Sequence, residues 1–173
     1  MATAYSDLVA GTAITWTSSG GDKALTLTSL ANDAAREGDK SATWVDGTKG
    51  LPELIEVRFE SQVGSAATNG KEIELYVGES DSATAGTANP GNLTGADAAL
   101  SNPDELKNQL MFVGSLVLSN ARGTNVQKQR LRFKPVCAYS VPVVVNKSGQ
   151  TLGSTGTNHV VVMTPYYRRN PIA

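Results

Sequence analysis

The sequence predicts an all-β protein, a jelly-roll β-sandwich of about eight antiparallel strands in two sheets with one long irregular loop. Several segments alternate apolar and charged residues with a period of two, turn-forming residues separate these segments, and no segment shows the apolar stripe of a long helix. A chain of 173 residues fits one domain. We expect a single jelly-roll domain over residues 1–173, with an N-terminal arm at 1–11 and a C-terminal tail at 167–173.

Three segments alternate cleanly between apolar and charged residues, namely ELIEVRFES, KEIELYVGE and VQKQRLRFKPV. This period places one face of a strand in a core and the other face in water. Each segment is therefore predicted to be a strand. The positions expected to point inward are Ile55, Val57, Phe59, Ile73, Leu75, Val77, Leu131 and Phe133.

Other segments alternate less cleanly. TAITWT and ALTLTS flank a turn with Gly20 and Gly21 and form a candidate hairpin, and SATWVD is a further candidate strand. QLMFVGSLVLS is apolar on both faces, which favours a central strand with Gly114 as a candidate bulge. VPVVVNKS and NHVVVMTPYY provide the last two strands, and we expect Pro142 and Pro165 at an edge, a strand end or a bulge. An immunoglobulin-like sandwich is the competing fold, but it usually has fewer strands and residues.

Helix is a minor component of the prediction. SLANDAAREG is compatible with a short helix or with irregular structure, and NPDELKNQL offers Asn102 as a helix cap with Pro103 at the first helical position. The longest piece without a strand pattern is 79–108. Loops longer than about 15 residues are uncommon in compact domains and tend to be functional or disordered. We therefore expect 79–108 to be a surface excursion.

Charge and cysteine content argue against several classes of partner. Fifteen basic and 16 acidic side chains leave a net charge of −1, so the chain has no overall field that would hold it on nucleic acid or an anionic membrane. Cys137 has no partner for a disulfide within the chain, which fits folding in a reducing cytoplasm. Neither a signal peptide nor an apolar run of about 18 residues is visible. We expect folding in a reducing cytoplasm, with no membrane and no nucleic-acid partner.

Residues that carry chemistry are sparse. His159 is the single histidine and no nucleophile motif stands at a recognisable offset, so we expect it at the surface or at a strand end. One histidine and one cysteine are too few for a zinc site, and the aspartates of 79–108 lack the spacing of a calcium loop. Glu72 and Glu74 share the outward face of one predicted strand, and carboxylates are common on such solvated faces. We expect no enzyme activity, no catalytic residue, no metal and no cofactor.

Aromatic residues and the chain ends offer two kinds of binding surface. Five aromatic side chains are candidates for stacking on sugars, although the two tryptophans stand among apolar neighbours where core packing is usual. They are Trp16, Trp44, Tyr76, Tyr166 and Tyr167. The ending YYRRNPIA combines tyrosine and arginine, which are enriched at protein interfaces, and the opening MATAYSDLV is a candidate docking arm. Ordinary frayed termini are the alternative.

Several runs of the sequence resemble a set of small structural proteins of tailed bacteriophages. They are SSGGDKALTLTSLANDAAREGDKSATW, GLPELIEVRFES, ELYVGESDSATAGTANPGNLTGADAAL, FVGSLVLSN and PVVVNKSGQTL. The resemblance covers about residues 11–166, and its most specific run is SDSATAGTANPGNLTGADA. That family comprises capsid cement or decoration proteins with a jelly-roll fold, which clamp the outside of the head across joints between major capsid subunits.

The resemblance implies a structural virion protein on the outer surface of the capsid. Its partner would be the major capsid protein, its own state a dimer or trimer, and no catalytic residue carries over. A tail-associated or host-recognition module that binds glycans and a ring-forming head or neck component are the rival functions. The candidate interface residues are Tyr5, Asp81, Asn89, Asp97, Arg130, Arg132, Lys134, Tyr166, Tyr167, Arg168 and Arg169.

Overall fold

Two β-sheets face each other across a hydrophobic core in the computed structural model, which describes residues 7–169. Within these residues the helical elements are short: one α-helix, α1 (Pro103–Lys107), and three 3₁₀ turns at Pro90–Asn92, Asn120–Arg122 and Gly156–Asn158. The strands are β1 (Leu8–Ala10), β2 (Ile14–Thr17), β3 (Lys23–Ala24), β4 (Ala35–Glu37), β5 (Leu54–Ser61), β6 (Glu72–Ser80), β7 (Ala98–Leu100), β8 (Met111–Val117), β9 (Gln127–Phe133), β10 (Tyr139–Lys147) and β11 (Val160–Arg168).

The strand order is that of a jelly roll. Sheet A has the order β3-β2-β11-β5-β9, with β1 also paired to β11, and sheet B has the order β7-β4-β10-β6-β8. Without the short strands β1, β3 and β7, each sheet has four antiparallel strands, and the chain passes repeatedly between the two sheets. The predicted all-β sandwich of about eight antiparallel strands is therefore confirmed.

The core lies between the sheets and is built from the predicted alternating strands. Ile55, Val57 and Phe59 of β5 are fully buried, and the inward residues of β6 and β11 pack in the same cluster. Trp16 and Trp44 also lie in this cluster, with ring centroids 6.3 Å apart. Each indole N–H is satisfied, by the carbonyl of residue 39 at 2.7 Å and by a serine hydroxyl at 2.8 Å respectively. Burying these two large rings with their polar atoms paired stabilises the sandwich.

Sheet B also carries a second, smaller core on its outer side. Tyr76 of β6 and three valines of β10 point outward and are covered by Leu93 and Leu106 from the 79–108 segment. At Gly78 an added Cβ would lie only 2.5 Å from Leu93 Cδ1, so glycine permits this close approach. The segment contains the end of β6, strand β7 and helix α1, which begins at Pro103 as predicted. The prediction that 79–108 has no strand is therefore wrong, although most of the segment is irregular.

Three other local predictions are also wrong. The segments TAITWT and ALTLTS do not form a hairpin, because β2 and β3 pair in parallel. SATWVD is not a strand, although the Trp44 amide donates to the Ala138 carbonyl at 2.7 Å beside β10. SLANDAAREG contains strand β4, which pairs with β10, where we expected helix or irregular structure. In the second and third cases the partner is β10 or the residue just before it, which is distant in sequence.

Strand β8 lies at an edge of sheet B, not at its centre. Its outward residues Phe112 and Val117 are 55% and 58% exposed, so the strand is apolar on both faces but buried on only one of them. The predicted bulge is confirmed. The register with β6 shifts between Leu75 and Tyr76, opposite Gly114, whose φ is 150°.

Pro142 and Pro165 lie in interior strands, β10 and β11, contrary to the expectation of an edge, a strand end or a bulge. The Pro142 carbonyl accepts from Gly38 N, just beyond the end of β4, and the Pro165 carbonyl accepts from Gly11 N, between β1 and β2. The nitrogen and carbonyl oxygen of one residue point to the same side of a strand. Each missing N–H therefore faces a place where the neighbouring strand is interrupted.

Candidate interaction surface

The C-terminal tail is part of the sheet as far as the structure describes it. Tyr167 points inward, is 7% exposed, and donates its hydroxyl to the Trp44 carbonyl at 2.7 Å. Burial, with a smaller effect of the Asp46 charge, raises the pKa of the Tyr167 phenol. Tyr166 is half-buried, Arg168 is exposed with an ion pair to Glu53 at 3.5 Å, and residues 170–173 lie outside the described residues. The prediction of a free tail beginning at 167 is therefore wrong.

The N-terminal end behaves in the same way. Residues 8–10 of the predicted arm form β1, which pairs with residues 166–168 of β11. The backbone N–H of Arg169 extends this pairing by donating to the Asp7 carbonyl at 3.0 Å. Arg169 is itself exposed. Tyr5, the candidate docking residue of the arm, lies outside the described residues.

Two of the three candidate residues in the 79–108 segment have internal structural roles. Asp97 accepts from Thr26 N at 3.0 Å and from Thr26 Oγ1 at 2.6 Å, and it forms an ion pair with Arg36. Burial opposes the charged form of Asp97, but these bonds outweigh it and hold the pKa of the carboxyl below its ordinary value. Asn89 donates to the Leu93 carbonyl at 2.7 Å within its own turn.

Asp81 is the exposed member of the three. Its carboxylate accepts from the Ala138 N–H at 3.2 Å, and its charge contributes, after burial, to raising the pKa of the Cys137 thiol. A raised pKa makes Cys137 a weaker nucleophile. The 79–108 segment is thus mainly a folded cover of sheet B that leaves Asp81 available to a partner.

Lys40 holds this cover in place and was missed by the sequence analysis. The residue is only 4% exposed, and its ammonium donates to Ser80 Oγ at 3.1 Å and to the carbonyls of Ser82, Thr84 and Thr87 at 3.0, 2.7 and 3.0 Å. Burial lowers the pKa of Lys40. No sequence pattern indicates such a residue, because three of its four acceptors are backbone carbonyls that any residue supplies.

The predicted basic residues of β9 do form a surface. Arg130 and Arg132 are exposed on the outer face of sheet A and pair with Glu56 at 2.7 and 3.4 Å. Register adds two cations that the prediction did not include, since Arg58 lies opposite Arg130, and Lys128 lies opposite Glu60. Lys128 and Arg58 pair with Glu60 at 3.0 and 3.3 Å. We call this surface the basic face; its cations are Arg58, Lys128, Arg130 and Arg132. The predicted Lys134 is exposed and directly follows the end of β9.

Lys128 had a usable sequence signal, because it shares the even-numbered period of Arg130 and Arg132 along β9. Arg58 had none that connects it to β9, since the pairing of β5 with β9 is decided in three dimensions. A shallow depression of about 380 Å³ lies on the basic face, lined by Arg58, Glu60, Lys128, Gln129 and Arg130. Beside it, on β11, lie the half-buried Val160, Val162, Thr164 and Tyr166.

The aromatic row required for stacking on sugars is not formed by the candidate residues. Trp16 and Trp44 are buried in the core, and Tyr76 and Tyr167 are 8% and 7% exposed. Burial, followed by the charge of Glu74, raises the pKa of Tyr76 to about 12. Tyr166 is the single partly accessible member of the five.

His159 is buried, which corrects the expectation of a surface position but agrees with a strand end, because β11 begins at the next residue. Its Nε2 lies 2.8 Å from the Gly153 carbonyl, so Nε2 carries the proton, and Nδ1 accepts from the Ser61 hydroxyl at 2.9 Å. Burial lowers the pKa of the imidazole. A serine and a histidine at this distance resemble a nucleophile with its base, but both are fully buried and the orienting group is a carbonyl, not a carboxylate. The pair fastens β5 to the loop before β11.

The outward carboxylates of β6 lie beside lysine side chains. Glu74 pairs with Lys107 at 2.6 Å, and Glu72 and Glu74 line a polar cavity of about 440 Å³ together with Asp33, Lys71 and Lys147. Within residues 7–169 no three His, Cys, Asp or Glu side chains cluster as metal ligands. No helix in the same range is long and apolar enough to span a membrane.

The chain matches no protein-family model, and a search of curated proteins finds no match.

Proposed function

We propose that this chain is a structural virion protein, a capsid cement or decoration protein that binds the outer head surface of a tailed bacteriophage across joints between major capsid subunits. The proposal rests on the sequence runs that resemble such proteins. The structural observation that supports it best is that the outer faces of the two sheets differ in how far they are covered. The outer side of sheet B is covered over β6 and β10 by the 79–108 segment, whereas the outer side of sheet A presents an open, charged strand surface on β5 and β9.

A cement protein stabilises a capsid by mass action. If it binds the expanded lattice and not the immature one, every bound copy lowers the free energy of the expanded state. An oligomer that spans several subunits gains avidity because its contacts are linked, so each contact can be modest. We therefore propose a dimer or trimer on a symmetry axis of the head, with the major capsid protein as partner. The protein would be made in the host cytoplasm and would reside on the outer surface of the virion.

The rigid sandwich suits this role. The protein need not reorganise when it binds, because its strands are buried, its indole N–H groups are hydrogen-bonded and Lys40 fixes the 79–108 segment. A partner therefore binds at a lower cost in conformational entropy. The rival sugar-binding function is weakened because four of its five candidate aromatic residues are at most 8% exposed.

The test is the mass of the purified full chain in solution, measured by light scattering, with and without phage heads assembled in its absence. We expect a compact dimer or trimer that adds to mature heads in a fixed ratio and raises the temperature at which they rupture. A monomer that does not bind heads would refute the proposal.

A further inference from the structure

We infer that the basic face on β5 and β9 docks on an acidic protein surface. All charged residues of β5 and β9 lie on this one side of sheet A: Arg58, Lys128, Arg130 and Arg132, together with Glu56 and Glu60. These six side chains have a net charge of +2 in a chain whose net charge is −1. The charge of the molecule is segregated, and this face is the side that attracts carboxylates.

The exposed fractions of the charged side chains make the face more positive at its surface. The carboxylate side chains of Glu56 and Glu60 are only 19% and 11% exposed, whereas those of Arg130, Arg132 and Lys128 are 74%, 67% and 61% exposed. The acidic groups therefore lie low, between the bases of the cationic side chains. An approaching partner meets the cationic ends first, so the face is more positive at contact than its net charge suggests.

The paired carboxylates also organise the face in advance. Glu56 holds Arg130 and Arg132 side by side, and Glu60 holds Lys128 and Arg58. Side chains that are already ordered lose less conformational entropy when a partner binds. Guanidinium groups retain free N–H donors after one ion pair, and their planar fork matches a further carboxylate.

A protein partner fits this face better than a nucleic acid does. Surfaces that bind nucleic acids usually belong to domains with a pI above about 9, often with aromatic side chains on which bases stack. This chain has a pI of about 5.8, and the nearest aromatic residue on the outer face, Tyr166, is half-buried on β11.

This inference rests on the proposed function, since it identifies the acidic partner as an acidic patch of the head surface. It adds which face of the sandwich turns toward the capsid: the outer side of sheet A, with the covered side of sheet B turned away. Exposed charge pairs at an interface chiefly steer association and make it depend on salt. Binding should therefore weaken as ionic strength rises.

The experiment measures binding of the full chain to heads assembled without it, at several salt concentrations. The variants are Arg130→Glu and Arg132→Glu, with Lys71→Glu as a control that changes net charge equally at an exposed lysine outside the basic face. We expect each arginine variant to bind about tenfold more weakly with a shallower salt dependence, and Lys71→Glu to stay within about twofold of the original chain. Arg130→Lys should recover most of the binding. Arg130→Gln serves in place of Arg130→Glu if melting curves show that the added carboxylate beside Glu56 disturbs folding.

A second binding measurement uses poly-L-glutamate and single-stranded DNA as probes, so that the two hypotheses fail separately. If heads bind the original chain and the arginine variants equally well, the inference is overturned and the proposed function stands. If heads bind none of them, the proposed function fails; poly-L-glutamate binding that is lost in Arg130→Glu then supports the basic face, and absence of such binding overturns it. Tighter binding to DNA than to poly-L-glutamate would overturn the assignment of a protein partner.

Discussion

Replacing Lys40 by methionine should destabilise the protein and release the turn that follows β6. Methionine nearly preserves the length of the side chain but removes the ammonium that donates to Ser80 and to the carbonyls of Ser82, Thr84 and Thr87. A hydrogen bond to a charged group contributes about 1.5–3 kcal/mol, but four such bonds cannot be summed, because desolvating the ammonium costs several kcal/mol.

The net effect is better estimated from the acceptors left behind. Thr84 and Thr87 are exposed residues and Ser82 is half-buried, so water can reach part of the vacated carbonyls. If one or two acceptors stay dry, at about 1–3 kcal/mol each, the free energy of unfolding falls by about 1–6 kcal/mol. In a domain of this size, 1 kcal/mol shifts the melting temperature by about 2–4 °C, so Lys40→Met should melt roughly 2–24 °C lower.

Urea denaturation and thermal melting measure the loss, and hydrogen exchange of the amides of residues 82–88 shows whether it is local. Lys71→Met is the matched control, because Lys71 is exposed, and it should stay within about 0.5 kcal/mol of the original chain. A Lys40→Met protein that is as stable as the original, with unchanged exchange at 82–88, would refute the reasoning. It would mean that apolar packing replaces the buried charge without loss, as happens at some buried ion pairs.

Three further changes test other buried contacts. Burial lowers the pKa of His159 in the folded protein, whereas its pKa in the unfolded chain is about 6.5. The free energy of unfolding should therefore fall as pH drops below about 6.5, by at most about 1.4 kcal/mol per pH unit. His159→Asn should reduce this pH dependence, measured by urea denaturation at a series of pH values. Asp97→Asn leaves Arg36 without its carboxylate and should cost about 2–3 kcal/mol in the same assay. Gly114→Ala places a Cβ 2.6 Å from Leu131 and should lower stability by about 1–3 kcal/mol, seen as a lower melting temperature.

Each of these changes has a result that would count against it. An unchanged pH slope in His159→Asn would show that the imidazole is not the group that titrates. Asp104→Asn, at a carboxylate 83% exposed, is the control for Asp97→Asn, and equal losses would show that the Arg36 pair contributes nothing special. A Gly114→Ala protein of full stability would mean that β8 shifts away from Leu131 without cost.

The candidate surface was only partly predictable from sequence. Arg130 and Arg132 were found because a period of two in β9 separates charged from apolar positions, and Lys128 follows the same period. Arg58 joined them through the pairing of β5 with β9, which no local pattern encodes. Tyr167 was predicted to lie in a tail because the chain ends nearby. It is instead part of β11, and its buried hydroxyl donates to the Trp44 carbonyl. Proximity to a terminus was therefore a poor guide to exposure.

The alternation of apolar and charged residues along β5, β6 and β9 determined the all-β class and the residues that face the core. Each of these strands has one face in the main core, so apolar residues occupy every second position of its sequence. Only the tertiary structure decided which strands are neighbours, which apolar strand lies at an edge and which outer face is covered. The valines of β10 are buried on both sides because the 79–108 segment folds over sheet B, whereas β8, equally apolar, is left at the edge. Burial depends on what packs against a residue, and at these positions the packing partner comes from a distant part of the chain.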